Sequence, residues 1–298
     1  MGETACLLAA ATWALAVAFF HQPIARHGAW TVNLGKNVLG TALLGLTALA
    51  LGQAGDLMGT STEALAWLAA SGIFGLTLGD TALFAAVSRL GPHRSLLFLT
   101  LGPVFAGFLA WLFFGERQGP AQLAGSALVL LGVAAVVWRP STERTDDSAS
   151  GNGWPLGGIV FALLAAFGLG SGIVFAKGGM EDVPLVAASF VRMAASVASL
   201  AAVMAIMRRL NPAVALLGNR RAMIRLAGPA FLGTYVSFLL MMAGIAWAPA
   251  SVAAVLLATP PIFSLFVDAW WFDAPITGRG LAGTLLSVVG VGVLSLAG

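Results

Sequence analysis

Pro103-Val104-Phe105 is answered 158 residues later by Pro261-Ile262-Phe263, and the same step carries Gly75 to Gly233, Leu123 to Leu281, Gly125 to Gly283 and Gly132 to Gly290. Two Ala/Leu/Gly-rich helices always look somewhat alike, but prolines and glycines agreeing over some sixty residues without a gap point to a duplicated unit. Upstream the step is 156, pairing Phe19 with Phe175, His21 with Lys177 and Lys36 with Arg192.

Composition identifies the solvent around both copies. Hydrophobic residues make up 59% and charged residues 9%, with a mean hydropathy of +0.94, whereas soluble chains carry about 25% charged residues. The reading is an all-α integral membrane protein. Apolar runs near the roughly 20 residues a spanning helix needs fall at 4–22, 30–51, 64–87, 93–114, 120–138, 155–176, 185–207, 226–247, 250–272 and 279–297. These are ten transmembrane helices, five per copy. The odd number turns the second copy upside down, giving two inverted five-helix repeats. The first copy is expected over 1–138 and the second over 154–298, joined by a polar linker, 139–153, whose Arg139, Glu143, Arg144, Asp146 and Asp147 lipid would not accept.

Met1-Gly2-Glu3 lacks a positive n-region, so the first apolar run is expected to stay as a helix rather than be removed as a signal. Of fifteen Lys and Arg, eleven lie in alternate loops on one side, among them Arg26, Arg89, Arg208, Arg209, Arg220, Arg221 and Arg225. The positive-inside rule places those loops in the cytoplasm and both termini outside. Trp30, Trp67, Trp138, Trp154, Trp247, Trp270 and Trp271 stand near span ends, as an interfacial belt requires. The net charge of +3 does not speak for nucleic acid, because no basic stripe with interleaved aromatics accompanies it. Lone Cys6 excludes a disulfide framework. His21, His27 and His93 do not cluster with a cysteine, so no metal, cofactor or catalytic residue is implied. Gly168-x-Gly170-x-Gly172 lies inside an apolar helix, where small residues serve close packing rather than a dinucleotide.

Charges at membrane depth point to function, since they are costly unless they face a cavity or a partner. Lys36 in the second span and Asp80 in the third lie roughly 9–10 Å below the same surface at the rise of an α-helix. That matched depth allows an ion pair; a static bridge or a snorkelling lysine are the plain alternatives. In the second copy Arg192 keeps the basic position while Phe238 replaces Asp80, so the basic groups flank the midplane. The Arg192 guanidinium suits a substrate carboxylate or phosphate, or the carbonyls of a broken helix. Gly72, Gly75 and Gly79 with Thr77 give the third span a small, mildly polar face beside Asp80, fit for a ligand or for close helix packing. Mid-span Pro103 and Pro260-Pro261 remove backbone donors and kink their helices; Thr100 and Thr259 beside them join the candidates. Trp13, well inside its span, stacks on a substrate or fills the core.

The pattern Gly75…Gly79-Asp80…Gly91-Pro92…Pro103…Gly115-Glu116-Arg117…Gly125…Gly132 resembles the third to fifth helices of EamA-type members of the drug/metabolite transporter superfamily, repeated more loosely in the second copy. The resemblance spans essentially the whole chain. It implies a ten-helix carrier with a cavity lined by helices 1–4 and 6–9, peripheral helices 5 and 10, and alternating access. It departs where Asp273-Ala274-Pro275 replaces the Gly-Glu-Arg turn and where Ala14 follows Trp13. It also implies cytoplasmic termini, against the arginine tally. The expectation is a multi-pass, monomeric carrier of the cytoplasmic (inner) membrane that exports an amino acid or related small metabolite. Asp80 with Lys36 would be a proton-responsive gate and Arg192 an anion contact, with protons as the candidate coupling ion. A carrier of lipid-linked or nucleotide-linked sugars and an intramembrane enzyme are the alternatives.

Overall fold

The computed structural model describes residues 1–53, 55–114, 119–137, 155–180, 183–247, 256–257, 259–272 and 277–296. Among them there is no strand. Among the described residues six helices are long and apolar enough to cross a membrane, and Pro120–Ala135 and Gly278–Val293 are shorter apolar helices. Leu46, Leu49, Phe108, Leu131, Phe231, Trp270 and Val289 point outward. Water would penalise such a surface and a bilayer favours it.

α1 (Gly2–His27) turns into α2 (Ala29–Ala50) at Gly28, whose φ of 79° is open to glycine at no cost. A short α3 (Asp56–Gly59) leads to α4 (Thr62–Ser71), capped by the Ser61 hydroxyl accepting from the Ala64 amide at 3.1 Å. α4 runs through a π-helical stretch, Gly72–Gly79, into α5 (Asp80–Leu90), making one rod. Gly91, at φ 81°, reverses the chain into Pro92 and α6 (Pro92–Leu99). Next come α7 (Gly102–Phe114), α8 (Pro120–Val137), α9 (Leu156–Gly179), α10 (Leu185–Ile206) and α11 (Leu210–Gly218). α12 (Arg220–Pro229) passes through a second π stretch, Ala230–Val236, into α13 (Ser237–Trp247). α14 (Pro260–Phe272) and α15 (Gly278–Leu296) complete the described chain. The expected linker 139–153 lies outside the described residues, as does most of 250–259.

Two details differ from the expectation. Pro103 does not kink a continuous helix: α6 stops at Leu99, α7 starts at Gly102, and the proline sits in the new first turn, where no intrahelical donor is needed. Pro260 likewise opens α14. α10 ends with Arg208 donating to the Ala205 carbonyl at 3.0 Å and Arg209 to Met204 at 2.7 Å. This is a Schellman turn whose left-handed position, usually glycine, holds Arg208 at φ 54°. Left-handed backbone costs a non-glycine residue roughly 1–2 kcal/mol.

Glycines set the helix crossings. The α4–α5 rod meets α9 backbone to backbone: a Cβ on Gly168 would stand 2.5 Å from the Gly79 Cα, and one on Gly75 3.2 Å from the Gly172 Cα. The Ser71 hydroxyl closes the crossing on the Gly172 carbonyl. The α12–α13 rod meets α1 in the same manner, with Gly233 over Ala16 and the Ser237 hydroxyl donating to the Ala9 carbonyl at 2.9 Å. α2 and α10 run antiparallel, Asn37 beside Ser196 and Gly40 beside Met193. α8 and α15 pack with Gly132 against the Gly283 carbonyl and Gly290 against the Gly125 carbonyl. Between these crossings, Phe20, Phe84, Leu83, Leu96 and Leu226 fill the largest buried cluster. The lattice holds α2, the α4–α5 rod and α10 in mutual contact, and that seam carries the buried polar groups.

Candidate functional site

α2 carries Asn33, Lys36 and Asn37 at helical spacing i, i+3, i+4, so they share one face. That face looks inward, and all three side chains are buried. The Lys36 ammonium, 1% exposed, donates to the Asp80 carboxylate at 2.7 Å, and Asp80 retains 16% exposure. A second bond runs from Lys36 Nζ to Asn37 Oδ1 at 2.7 Å. The Asn37 amide passes the connection to the Ser196 hydroxyl on α10 at 2.9 Å, and Ser196 meets the Thr77 hydroxyl at 2.9 Å. Thr77 also reaches Ser199 at 2.7 Å. Three helices are thereby tied through one polar chain in an apolar bundle, where each bond replaces an otherwise unsatisfied buried group.

The π stretch sets the height of Asp80. Its wider turns displace carbonyls from the regular ladder, and Asn33 Nδ2 donates to the Leu76 carbonyl at 2.8 Å while also reaching the Thr81 hydroxyl at 2.8 Å. Asp80 is the first residue after that stretch. The asparagine on α2 therefore braces the turn that presents the carboxylate to the lysine one helical turn further on.

Arg192, 7% exposed, places its guanidinium over the Phe238 ring at 5.4 Å from the centroid, within cation–π range. Where Lys36 has Asp80, Arg192 thus has an aromatic face. The Asp80 carboxylate lies within coulombic reach of it. Arg192 Nε has no hydrogen-bond partner among the described residues. The register that pairs Asn37 with Ser196 and Gly40 with Met193 sets Thr41 level with Arg192, and the Thr41 hydroxyl is also buried without a partner among those residues. A buried cation keeps one donor in reserve beside a carboxylate already engaged by lysine.

The other candidates lie elsewhere. Trp13 is half-buried in the largest apolar cluster, against Gly233, in the place of a core residue. Thr100 and Thr259 turn their hydroxyls back to Leu97 at 2.7 Å and Leu256 at 2.6 Å, securing carbonyls at the helix breaks before Pro103 and Pro260. The Pro261 carbonyl accepts from the Ser264 hydroxyl at 3.0 Å and stands 3.0 Å from His93 Nδ1, which links α14 to α6. Gly168, Gly170 and Gly172 serve packing, Gly170 lying against Gly102 and Ala106. Asn33, Asn37, Ser196, Ser199 and His93 were not among the sequence candidates. The spacing of Asn33, Lys36 and Asn37 on one face was the signal available for the first two.

A profile of the EamA-like transporter family matches residues 1–138 and again residues 156–296. The chain belongs to the EamA-like transporter family. It is therefore a multi-pass integral membrane protein of a transporter family. Among relatives of this EamA-like chain is a protein described as a probable terminal-alkyne amino-acid exporter from Streptantibioticus cattleyicolor, 26% identical over 145 residues. That match covers 49% of this chain and 48% of the relative, so the two align over about half their lengths. A solved protein crystal structure aligns with 99% of the chain and 96% of its own at a TM-score of 0.60 and 19% identity, a likeness of fold alone.

Proposed function

We propose that the protein is a secondary transporter that exports an amino acid or related small metabolite by alternating access, without enzymatic turnover. The observation that carries this reading is the buried Lys36–Asp80 pair joined through Asn37 to α10, with Arg192 beside it. A static bridge would need neither a carboxylate left partly exposed nor a second buried cation whose Nε lacks a partner among the described residues. Asp80 takes the role of the proton-responsive group and Lys36 its resting counter-ion. Arg192 receives the substrate carboxylate through its unused Nε–H, a charge-assisted bond at the depth where such bonds are strongest. The relative described as an amino-acid exporter supports both the substrate class and the direction.

The scaffold in this reading is ten spans in two inverted five-helix repeats, 1–138 and 154–298, functioning as a monomer in the cytoplasmic membrane. Reciprocal contacts support it. A two-fold axis requires that when residue i of one copy touches residue j of the other, j also touches i. Asn37 with Ser196 has its counterpart in Gly40 with Met193, and Gly132 with Gly283 in Gly125 with Gly290. Gly75 with Gly172 is matched by Gly233 with Ala16, and the two π stretches recur at the same place. The family profile also matches twice.

The test is uptake of radiolabelled amino acids into proteoliposomes with and without an imposed pH gradient. Asp80→Asn is expected to abolish the response to the gradient, and an unchanged response removes the proton role. Arg192→Ala is expected to raise the substrate KM at least tenfold, the worth of about 1.4 kcal/mol. An unaltered KM takes away the carboxylate contact.

A further inference from the structure

α11 lies in the connection between α10 and the α12–α13 rod, so it sits where the chain turns at a membrane boundary. Its inner side, Ala213 and Leu216, is buried, with Leu216 against Gly35 beside Lys36. The outer side shows Val214 at 58% exposure, and Ile206 and Met207 are exposed at the end of α10. Arg208 and Arg209 stand before this helix and Arg220, Arg221 and Arg225 after it, all exposed. No acid occurs between Asp182 and Asp268 to neutralise them. The turns on either side hold these residues at fixed positions: the Schellman turn sets Arg208 and Arg209, and Asn219 caps α12 by accepting from the Arg221 and Ala222 amides, each at 3.1 Å.

We infer that α11 and its flanking arginines form a docking surface for anionic phospholipid headgroups. The apolar outer side seats among acyl chains, as interfacial helices do. The guanidinium pairs grip headgroup phosphates in bidentate fashion. One observation separates this from a charge cluster that only fixed the topology on insertion. Arg208 occupies a left-handed position that glycine fills without strain, so the backbone bears a cost to keep a charge there. Because Leu216 rests on Gly35, a lipid held here steadies the end of the helix that bears Lys36.

The test is native mass spectrometry of the full chain with equimolar phosphatidylglycerol and phosphatidylcholine of identical acyl chains. Each arginine near an anionic surface contributes a factor of about five. Wild type is expected to retain phosphatidylglycerol at least tenfold over phosphatidylcholine. The Arg208→Gly/Arg209→Gln/Arg220→Gln/Arg221→Gln/Arg225→Gln variant should retain the two equally. Arg208→Gly alone should cut the preference about fivefold while its thermal midpoint in phosphatidylcholine micelles holds or rises, which separates lost binding from lost folding. Equal retention by wild type overturns the inference, and so does a preference that survives the quintuple variant or falls as far in Arg26→Gln/Arg89→Gln. Displacement of phosphatidylglycerol by millimolar inorganic phosphate would likewise replace a lipid surface with a free-anion site.

Discussion

Lys36 and Asp80 carry opposite charges at very different exposures, 1% against 16%, and that difference governs what each substitution does. Removing the carboxylate strands an ammonium with no route to water, whereas removing the lysine leaves a carboxylate that water can still reach. Losing one partner of a buried pair costs about 3–5 kcal/mol, while replacing both by apolar groups is close to neutral. Asp80→Leu is therefore expected to lower stability more than Lys36→Met, and Lys36→Met/Asp80→Leu to recover most of the loss. Unfolding in detergent, read as a double-mutant cycle, checks this. A double variant as unstable as the two single losses added together would mean that the pair contributes nothing as a pair. The pair itself was legible in the sequence, because two unlike charges at one depth in neighbouring spans are rare and visible. The rest of the seam was not. Asn37, Ser196 and Ser199 carry no charge, and single Asn and Ser residues in an apolar helix look alike whether they bridge helices or turn back on their own backbone, as Thr100 does.

The elements owe their arrangement to where side chains are missing. Gly168 and Gly79 let α9 and the α4–α5 rod touch through their backbones, and neither backbone has a flexible end that can yield to an added methyl. Gly168→Ala is expected to cost about 1–3 kcal/mol by overpacking. Gly59→Ala, with nothing within 4 Å of its new Cβ, should leave the thermal midpoint unchanged. Equal midpoints for the two would show that the crossing relaxes freely. The π stretch makes a second demand on side chains, for Asn33 answers the Leu76 carbonyl that the widened turn displaces. Asn33→Leu leaves that carbonyl buried without this donor and is expected to cost about 1–3 kcal/mol in the same assay. The six long apolar helices among the described residues and the glycine-rich crossing followed from hydropathy and small-residue spacing, whereas the short α3 and α11 did not. The π stretches did not, since one extra residue in a turn leaves the apolar pattern of a fully hydrophobic helix unchanged. The prolines misled for a related reason: a mid-span proline marks a kink or a fresh start equally well, and only the gap between Leu99 and Gly102 distinguishes them.

Across the whole molecule, charge and symmetry pull in different directions. The reciprocal contacts support the proposal of two halves related by inversion, a scaffold that in this reading would tolerate either orientation in the bilayer. The charges do not share that symmetry: the α2–α4 connection carries Asp56 and no base, whereas Arg208 and Arg209 precede α11 and Arg220, Arg221 and Arg225 lie in the first turns of α12. Positive residues in short loops are retained on the cytoplasmic side, so the α11 face is expected inside and both termini outside, opposite to what the family resemblance implies. The lone cysteine, Cys6, is buried, so the wild-type background is expected to stay unlabelled. A cysteine at Val214, on the exposed side of α11, should react with a membrane-impermeant maleimide only in inverted vesicles. One at Thr62, exposed at the start of α4, should react only in intact cells. The reverse pattern would show that the family orientation prevails over the arginines, and would move the anionic-lipid surface to the outer leaflet. Labelling of both sites from both sides would mean that the chain inserts in two orientations, as near-symmetric halves permit.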